Sequence, residues 1–293
     1  MTYKHITVKP IAGAIGAEVF GPDLSKSLPL AVLDEIHRAH LDHLVIVFRD
    51  QILTPDSQKA FARNFGSAHI NEFFPTVEGH PDIQLVAKNP EDTRNVGSVW
   101  HTDVSYVAIP PLGSMLYALE VPKSGGDTMF ASMYASYEAL SDGMKELLGG
   151  LNAVHSATKS FGTNATGPKM RAENKSMKFK YSKDAEQVAV HPVIRTHQET
   201  GRKGLYVNRS FTKHFEDMTV EESAPLLHYL YDHMARPEFS CRVRWRKGTL
   251  TFWDNRCTHH NALNDYQGQR RIMHRVTVLD DKEAWPALTE SAA

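Results

Sequence analysis

The alternation of apolar and polar positions divides the chain into many short extended pieces and a few amphipathic helices. Residues 1–27 read as short extended segments punctuated by Gly13, Gly16 and Gly21. They lead into a helix over 29–42, where Leu33, Ile36 and His40 or Leu41 share a face. The apolar run 44–48 predicts a buried strand. Thr54, Pro55 and Asp56 supply an N-cap, a proline at the first helical position and an acid in the first turn, so a helix runs from there to about Asn64, with Gly66 closing the unit. Strands follow at 112–121 and, after the turn-forming 123–127, at 128–131. Helix is expected over 132–148 with a break at 141–143. Further strands are expected at 188–196, 205–208, 240–245, 249–253 and 272–279, and a helix over 221–236 carries Leu226, Leu227, Leu230, Tyr231 and Met234 on one side. Such a pattern is mainly β with flanking helices and predicts a double-sheet jelly roll.

One stretch departs from this pattern. Residues 158–188 are dominated by Lys, Asn, Ser and Gly, with no period and few bulky apolar residues, and read as a lid over an active site or a locally disordered loop. No internal repeat and no linker divides the 293 residues, so a single domain spanning 1–293 is expected. With 41% hydrophobic residues the chain has enough apolar surface for a sizeable core. The 33 Lys and Arg balance 34 Asp and Glu, so no global field favours nucleic acid or an anionic membrane. The first residues lack the blocks of a signal peptide and no apolar stretch reaches the roughly 20 residues of a membrane span, which predicts a cytoplasmic protein. Cys241 and Cys257 fit neither a disulfide framework nor a zinc motif and read as buried free thiols.

Candidate chemistry lies in two places. The run Trp100-His101-Thr102-Asp103 puts an imidazole and a carboxylate two residues apart, on one face of an extended segment, with Thr102 pointing away. A third ligand from Trp253 to His260 would complete a two-histidine, one-carboxylate facial set with several open coordination positions, an arrangement that suits Fe(II) and oxygen chemistry. If that distal segment is extended, His259 and His260 point to opposite sides and only one of them binds. Near the C-terminus the period-2 rule places Arg271, Met273, Arg275 and Thr277 on one face. Two guanidinium groups roughly 13 Å apart at their Cα atoms, four residues at ~3.3 Å each, would reach one site from different directions and hold separate anions. The plain alternative is a solvated face with surface arginines.

At these residues the chain resembles the taurine dioxygenase and 2,4-dichlorophenoxyacetate dioxygenase family of Fe(II)- and 2-oxoglutarate-dependent oxygenases. The similarity extends over nearly the whole length, through 13–18, 61–66, Trp100 to Asp103, Gly125 to Thr128, Trp253 to Arg256 and the final arginines. It implies a double-stranded β-helix, the cupin-like form of the jelly roll. It also implies Fe(II) held by His101, Asp103 and His260, with 2-oxoglutarate and O2 at the open positions. Thr128 and Arg271 are implied to bind the 2-oxoglutarate carboxylate remote from the metal, and Arg275 an anionic group of the substrate. The expected reaction hydroxylates a small anionic organic substrate with release of succinate and CO2, and a hydroxyl placed on a carbon bearing a sulfonate, sulfate or ether oxygen leads on to C–S or C–O cleavage. Family members are commonly dimers or tetramers, which makes a homo-oligomer the expected state. Two other classes use similar parts: a zinc hydrolase, which leaves the arginine pair without a purpose, and a non-catalytic cupin-like anion binder, which has no need of three ligands around an open site.

The substrate segment departs from the taurine pattern. Where taurine dioxygenases carry His-x-His followed three residues later by Tyr, this chain has His69, then Asn71 in place of the second His and Phe74 in place of the Tyr. A short amide and an apolar ring are poor replacements for contacts to a sulfonate and an amine. Segments 154–159, 204–208 and 241–245 look more like the aryloxypropionate-cleaving branch, which suits a larger apolar body bearing a carboxylate. Phe73, Phe74, Tyr106 and Phe211 are candidates for the wall of such a pocket, as they are for ordinary core packing.

Overall fold

The computed structural model describes residues 2–163 and 173–281. Its content is mixed, 30% strand and 23% helix, arranged in several sheets. In chain order the first part holds β1 (Thr7–Pro10), β2 (Ala17–Phe20), α1 (Leu30–His43), β3 (Val45–Phe48), α2 (Pro55–Ala62), β4 (Thr76–Val77), β5 (His80–Lys88) and β6 (Gly113–Glu120). The middle holds β7 (Thr128–Ser132), α3 (Met133–Glu138), α4 (Asp142–Gly149), β8 (Asn152–Ser156), α5 (Thr158–Phe161), β9 (Val188–Pro192), β10 (Ile194–Thr196), β11 (Lys203–Leu205) and β12 (Thr212–Phe215). The chain closes with α6 (Val220–Met234), β13 (Ser240–Val243), β14 (Leu250–Asp254), β15 (Thr258–Ala262) and β16 (Arg271–Val278).

An eight-stranded sheet in the order β1-β2-β3-β14-β6-β16-β5-β4 forms one layer. Its two faces are sorted by the alternation that strands impose. Ile46, Phe48, Met115, Tyr117, Phe252, Val276 and Val278 face α1 and α2, where they pack on Leu33, Ile36, Phe61 and Phe65. Val45, Val47, Leu116, Ala118, Trp253 and Met273 face the other way, onto Phe130 and Val243 of the three-stranded sheet β13-β7-β15. Arg271, Arg275 and Thr277 share the parity of Met273 and are carried to the same inner side, so the inward face of β16 carries two buried arginines. Two smaller sheets, β12-β8-β9 and β10-β11, extend the second layer, with α3 and α6 packed on its outside through Met133, Leu227, Leu230 and Met234.

Local chemistry explains the helix starts. Thr54 caps α2, accepting from Ser57 N at 3.2 Å while Ser57 Oγ accepts from Thr54 N at 2.9 Å, and Pro55 occupies the first turn, where its missing N–H costs nothing. Thr219 and Glu222 make the same reciprocal pair at the start of α6. The expected break near 141–143 is real, because Ser141 caps a new helix through Met144 N.

Some expectations shift. The strand expected over 205–208 ends at Leu205, because the Asn208 side chain accepts from Ser210 N and Phe211 N and turns the backbone there. Strands β5 and β8 had no counterpart in the pattern reading. The stretch 158–188 falls partly outside the described residues. What is described of it is packed, since Phe161, Met177 and Phe179 are buried against Phe73, Phe74 and Phe211, aromatic contacts made at irregular spacing that a periodic pattern does not register. No helix among the described residues is long and apolar enough to cross a membrane.

Candidate metal centre

His101 and His260 belong to segments 159 residues apart, joined here by a single antiparallel bridge in which each backbone N–H donates to the other's carbonyl, at 3.0 and 2.7 Å. The first motif is therefore not a strand through Asp103. His101 makes the bridge, and the chain then turns at Asp103 and Val104, with Val104 in the left-handed region at φ 55°. Thr102 points away as expected and donates to the Asn255 carbonyl at 2.8 Å. The distal motif does lie on a strand. His260 turns toward His101 while His259 faces the opposite side beside Trp100.

Ligand atoms of His101, Asp103 and His260 lie within 4.8 Å of one another, all buried. Nδ1 of His101 sits 2.7 Å from the Val99 carbonyl, which places its proton there and leaves Nε2 with a free lone pair. Nε2 of His101 and of His260 lie 3.7 and 3.9 Å from Asp103 Oδ1. Desolvation, followed by the charge of His101, holds His260 well below the ordinary imidazole range, in the neutral form that ligates metals. For Asp103, burial pushes the carboxyl upward, but Arg275 and the two imidazoles outweigh it and keep the group ionised. Two imidazoles and an ionised carboxylate, turned inward on one another, fit a divalent cation.

The cluster opens into a cavity of about 420 Å³ that also takes in Asn71, Phe74, Thr128, Arg271 and Arg275. The structure thus brings the expected metal, cosubstrate and substrate residues to one place, while Phe73, a candidate for the wall, packs in the core behind it. Thr128 opens β7 after a turn in which Gly125 and Gly126 both have positive φ, and a Cβ on Gly125 would lie 2.7 Å from the Asp265 carbonyl oxygen. Its Oγ1 accepts from Trp245 Nε1 at 3.0 Å, and the Arg271 guanidinium lies 5.5 Å from the centre of the same indole. Nε and Nη2 of Arg271 are buried without a hydrogen-bond partner among the described residues. Those two atoms form the edge that closes on a carboxylate, so a whole bidentate fork stands unpaired beside Thr128.

Arg275 is placed differently. Its Nη1 lies 3.2 Å from Asp103 Oδ1, its Nε and Nη2 donate to Gln84, and its guanidinium covers the Phe74 ring at 4.6 Å. Asn71 lines the cavity with both polar atoms engaged, Oδ1 accepting from Phe73 N at 3.0 Å and Nδ2 donating to the Tyr106 hydroxyl at 3.3 Å. Phe161, Phe179 and Phe211 complete an aromatic wall, and Arg94, Lys159 and Arg209 add positive charge to the lining. Phe161 and Phe179 escaped the pattern reading because they lie in the irregular stretch, and Gln84 because β5 did.

A second buried group, His197, Asp254 and Cys257, also gathers three donors within 4.8 Å. Here Arg256 grips the Asp254 carboxylate with Nε at 3.0 Å and Nη2 at 2.7 Å, and His197 adds a contact at 3.1 Å. Burial, then the Asp254 charge, drives the Cys257 thiol well above its usual range.

Comparison with known proteins agrees with this geometry. The model of the taurine catabolism dioxygenase TauD, TfdA family matches residues 7–277. The chain belongs to this family of alpha-ketoglutarate-dependent dioxygenases, whose fold is the double-stranded β-helix, and it is an oxidoreductase that uses Fe(II), 2-oxoglutarate and O2. It is 34% identical to the alkylsulfatase of Acinetobacter baylyi, over 95% of this chain and 86% of that protein. It is also 34% identical to the alpha-ketoglutarate-dependent 2,4-dichlorophenoxyacetate dioxygenase of Cupriavidus pinatubonensis, over 94% and 98% of the two chains. Among solved structures, AAD-2 in complex with Mn(II) and N-oxalylglycine superposes with a TM-score of 0.77 at 30% identity, covering 96% of this chain and 98% of that one.

Proposed function

We propose that this dioxygenase hydroxylates a small organic anion with an apolar body, of the sulfonate, alkyl sulfate or aryloxyalkanoate type, and that C–S or C–O cleavage follows when the hydroxylated carbon carries the leaving group. One observation carries the reading: a three-ligand cluster, an unpaired buried arginine fork and a second arginine share one largely apolar cavity. His101, Asp103 and His260 hold Fe(II), which with 2-oxoglutarate and O2 supplies the oxidation of an unactivated C–H bond. The Arg271 fork and the Thr128 hydroxyl take the far carboxylate of the cosubstrate, fixing its direction as well as its charge. Arg275 draws the substrate anion toward the metal side of the cavity, and Phe74, Tyr106, Phe161 and Phe211 enclose its apolar body and exclude water. Asn71 contributes by holding Tyr106 and the Phe73 backbone rather than by a free polar contact. Relatives named for sulfate esters and for 2,4-dichlorophenoxyacetate are about equally similar to this chain, which supports the class without choosing within it.

The test is an anaerobic titration with Fe(II) and 2-oxoglutarate, followed by the visible charge-transfer band and then by a panel of alkylsulfonates, alkyl sulfates and aryloxyalkanoates. A band that shifts with one class, matched by succinate formation in air, is the expected result. A band indifferent to every anion, with turnover on a neutral compound instead, overturns the substrate reading.

A further inference from the structure

The Asp103 carboxylate is gripped from behind by a closed ring of buried side chains drawn from three neighbouring strands. Ser114 Oγ on β6 donates to Asp103 Oδ2 at 3.0 Å. Thr277 Oγ1 on β16 lies 3.4 Å from Ser114 Oγ, and Gln84 Nε2 on β5 donates to Thr277 at 3.5 Å. Gln84 Oε1 accepts from Arg275 Nε at 2.8 Å and Nη2 at 2.5 Å, and Arg275 Nη1 returns to Asp103 at 3.2 and 3.4 Å. The register of the sheet produces this ring. Gln84 lies directly across from Arg275, and Thr277 directly across from Ser114. No member is more than 7% exposed.

Every proton in the ring has one consistent place. Arginine has no acceptor, so the Gln84 oxygen must face it and the amide nitrogen must face Thr277. Thr277 then donates to Ser114, which spends its only proton on Asp103 and also accepts from Asn255 Nδ2 at 3.1 Å. The result is an asymmetric carboxylate. Oδ2 is turned toward Ser114, and Oδ1 is the oxygen nearest both imidazoles.

We propose that Ser114, Thr277 and Gln84 are positioning residues that hold Asp103 as a one-oxygen ligand, and so keep the remaining coordination positions free for cosubstrate and O2. This rests on the metal assignment made above. None of the three lines the cavity, so their effect passes through Asp103 and Arg275. Without the Ser114 hydroxyl, Oδ2 would keep only the 3.4 Å contact to Arg275 Nη1 and would be freer to compete with the chelating end of 2-oxoglutarate than to weaken the ion's hold.

The experiment measures two affinities on the intact chain: Mn(II) by electron paramagnetic resonance, and 2-oxoglutarate by the Fe(II) charge-transfer band under anaerobic conditions. Ser114→Ala is expected to keep Mn(II) affinity within about threefold of wild type while the 2-oxoglutarate dissociation constant rises by about tenfold, the size of one lost charge-assisted hydrogen bond. Gln84→Met, which removes both links while conserving volume, is expected to shift the same ratio in the same direction, and it decides alone should Ser114→Ala fail to fold. A merely structural role would lower thermal stability and leave the ratio of the two affinities unchanged, and that result overturns the proposal. Wild-type protein that binds no Mn(II) overturns the metal assignment itself, and the ring reading with it. A wild type that binds both ligands beside variants that match it overturns the ring alone.

Discussion

Two buried aspartates, Asp103 and Asp254, sit among metal-type donors and next to an arginine, yet they are opposites in chemistry. Asp254 has both oxygens closed by the Arg256 fork and a third contact from His197, and Arg256 is in turn held by Glu199 at 2.7 Å and Asp280 at 3.3 Å. Asp103 meets its arginine through a single nitrogen, because Gln84 occupies the fork of Arg275. The difference lies in saturation rather than residue type. A cation needs lone pairs not already spent on protons, and only the first cluster keeps them on three inward-facing atoms. The second is a buried ion-pair network that fastens β14 to the segment 197–199.

This contrast is broken hardest by removing each carboxylate in turn. Asp103→Ala is expected to lose metal-dependent turnover by at least about 1000-fold, roughly 4 kcal/mol, because a charged ligand is lost from an open site, and to cost less stability than the loss of Asp254, because Arg275 keeps its two contacts to Gln84. Asp254→Ala should do the reverse. It should cost about 3–5 kcal/mol of stability by leaving Arg256 buried with its main partner gone, while metal stoichiometry in the folded fraction stays at the wild-type value. Metal content and urea midpoints measured on both variants check the pair, and a drop in metal content with Asp254→Ala would erase the distinction. Arg271→Ala sharpens it from the cosubstrate side. The 2-oxoglutarate KM should rise by about one to two powers of ten, the equivalent of ~1.5–3 kcal/mol, with Mn(II) affinity unchanged.

Acid acts on the core histidines instead of the site. Burial depresses His40 and His155 to about 3 from 6.5, so each stays neutral in the fold where the unfolded chain takes a proton. Stability is therefore complete above pH 6.5 and falls as pH drops toward 3, by about 1.4 kcal/mol per pH unit for each such histidine. Urea midpoints between pH 7 and pH 4 test the slope, and Phe in place of His40, which already stacks on Phe252 at 3.9 Å, should flatten it.

The parts of the site legible in the sequence are those whose spacing is itself the chemistry. His101 and Asp103 are two residues apart, and Arg271 and Arg275 share strand parity, so a period-2 argument places each pair together. The reason given for the first pair was nevertheless incomplete, since a bridge and a left-handed Val104 replace the expected strand. The positioning ring was invisible. Ser114, Thr277 and Gln84 are unremarkable strand residues, and their meaning comes from cross-strand register, which no local pattern encodes. The aromatic wall was half legible. Phe74, Tyr106 and Phe211 flank recognisable motifs, whereas Phe161 and Phe179 come from a stretch whose composition reads as loop, and Phe73 packs behind the wall on Phe161.

The unpaired fork of Arg271 also bears on the lifetime of the protein. A buried guanidinium whose Nε and Nη2 lack a hydrogen-bond partner among the described residues weighs against the folded chain, and burial lowers its proton affinity. With Arg271 assigned to the cosubstrate as proposed above, 2-oxoglutarate becomes a folding ligand as well as a reactant. At a concentration one hundred times its dissociation constant, such a ligand adds about 2.7 kcal/mol to the stability of the folded state. On that assignment the folded enzyme is expected to be most durable when 2-oxoglutarate is plentiful.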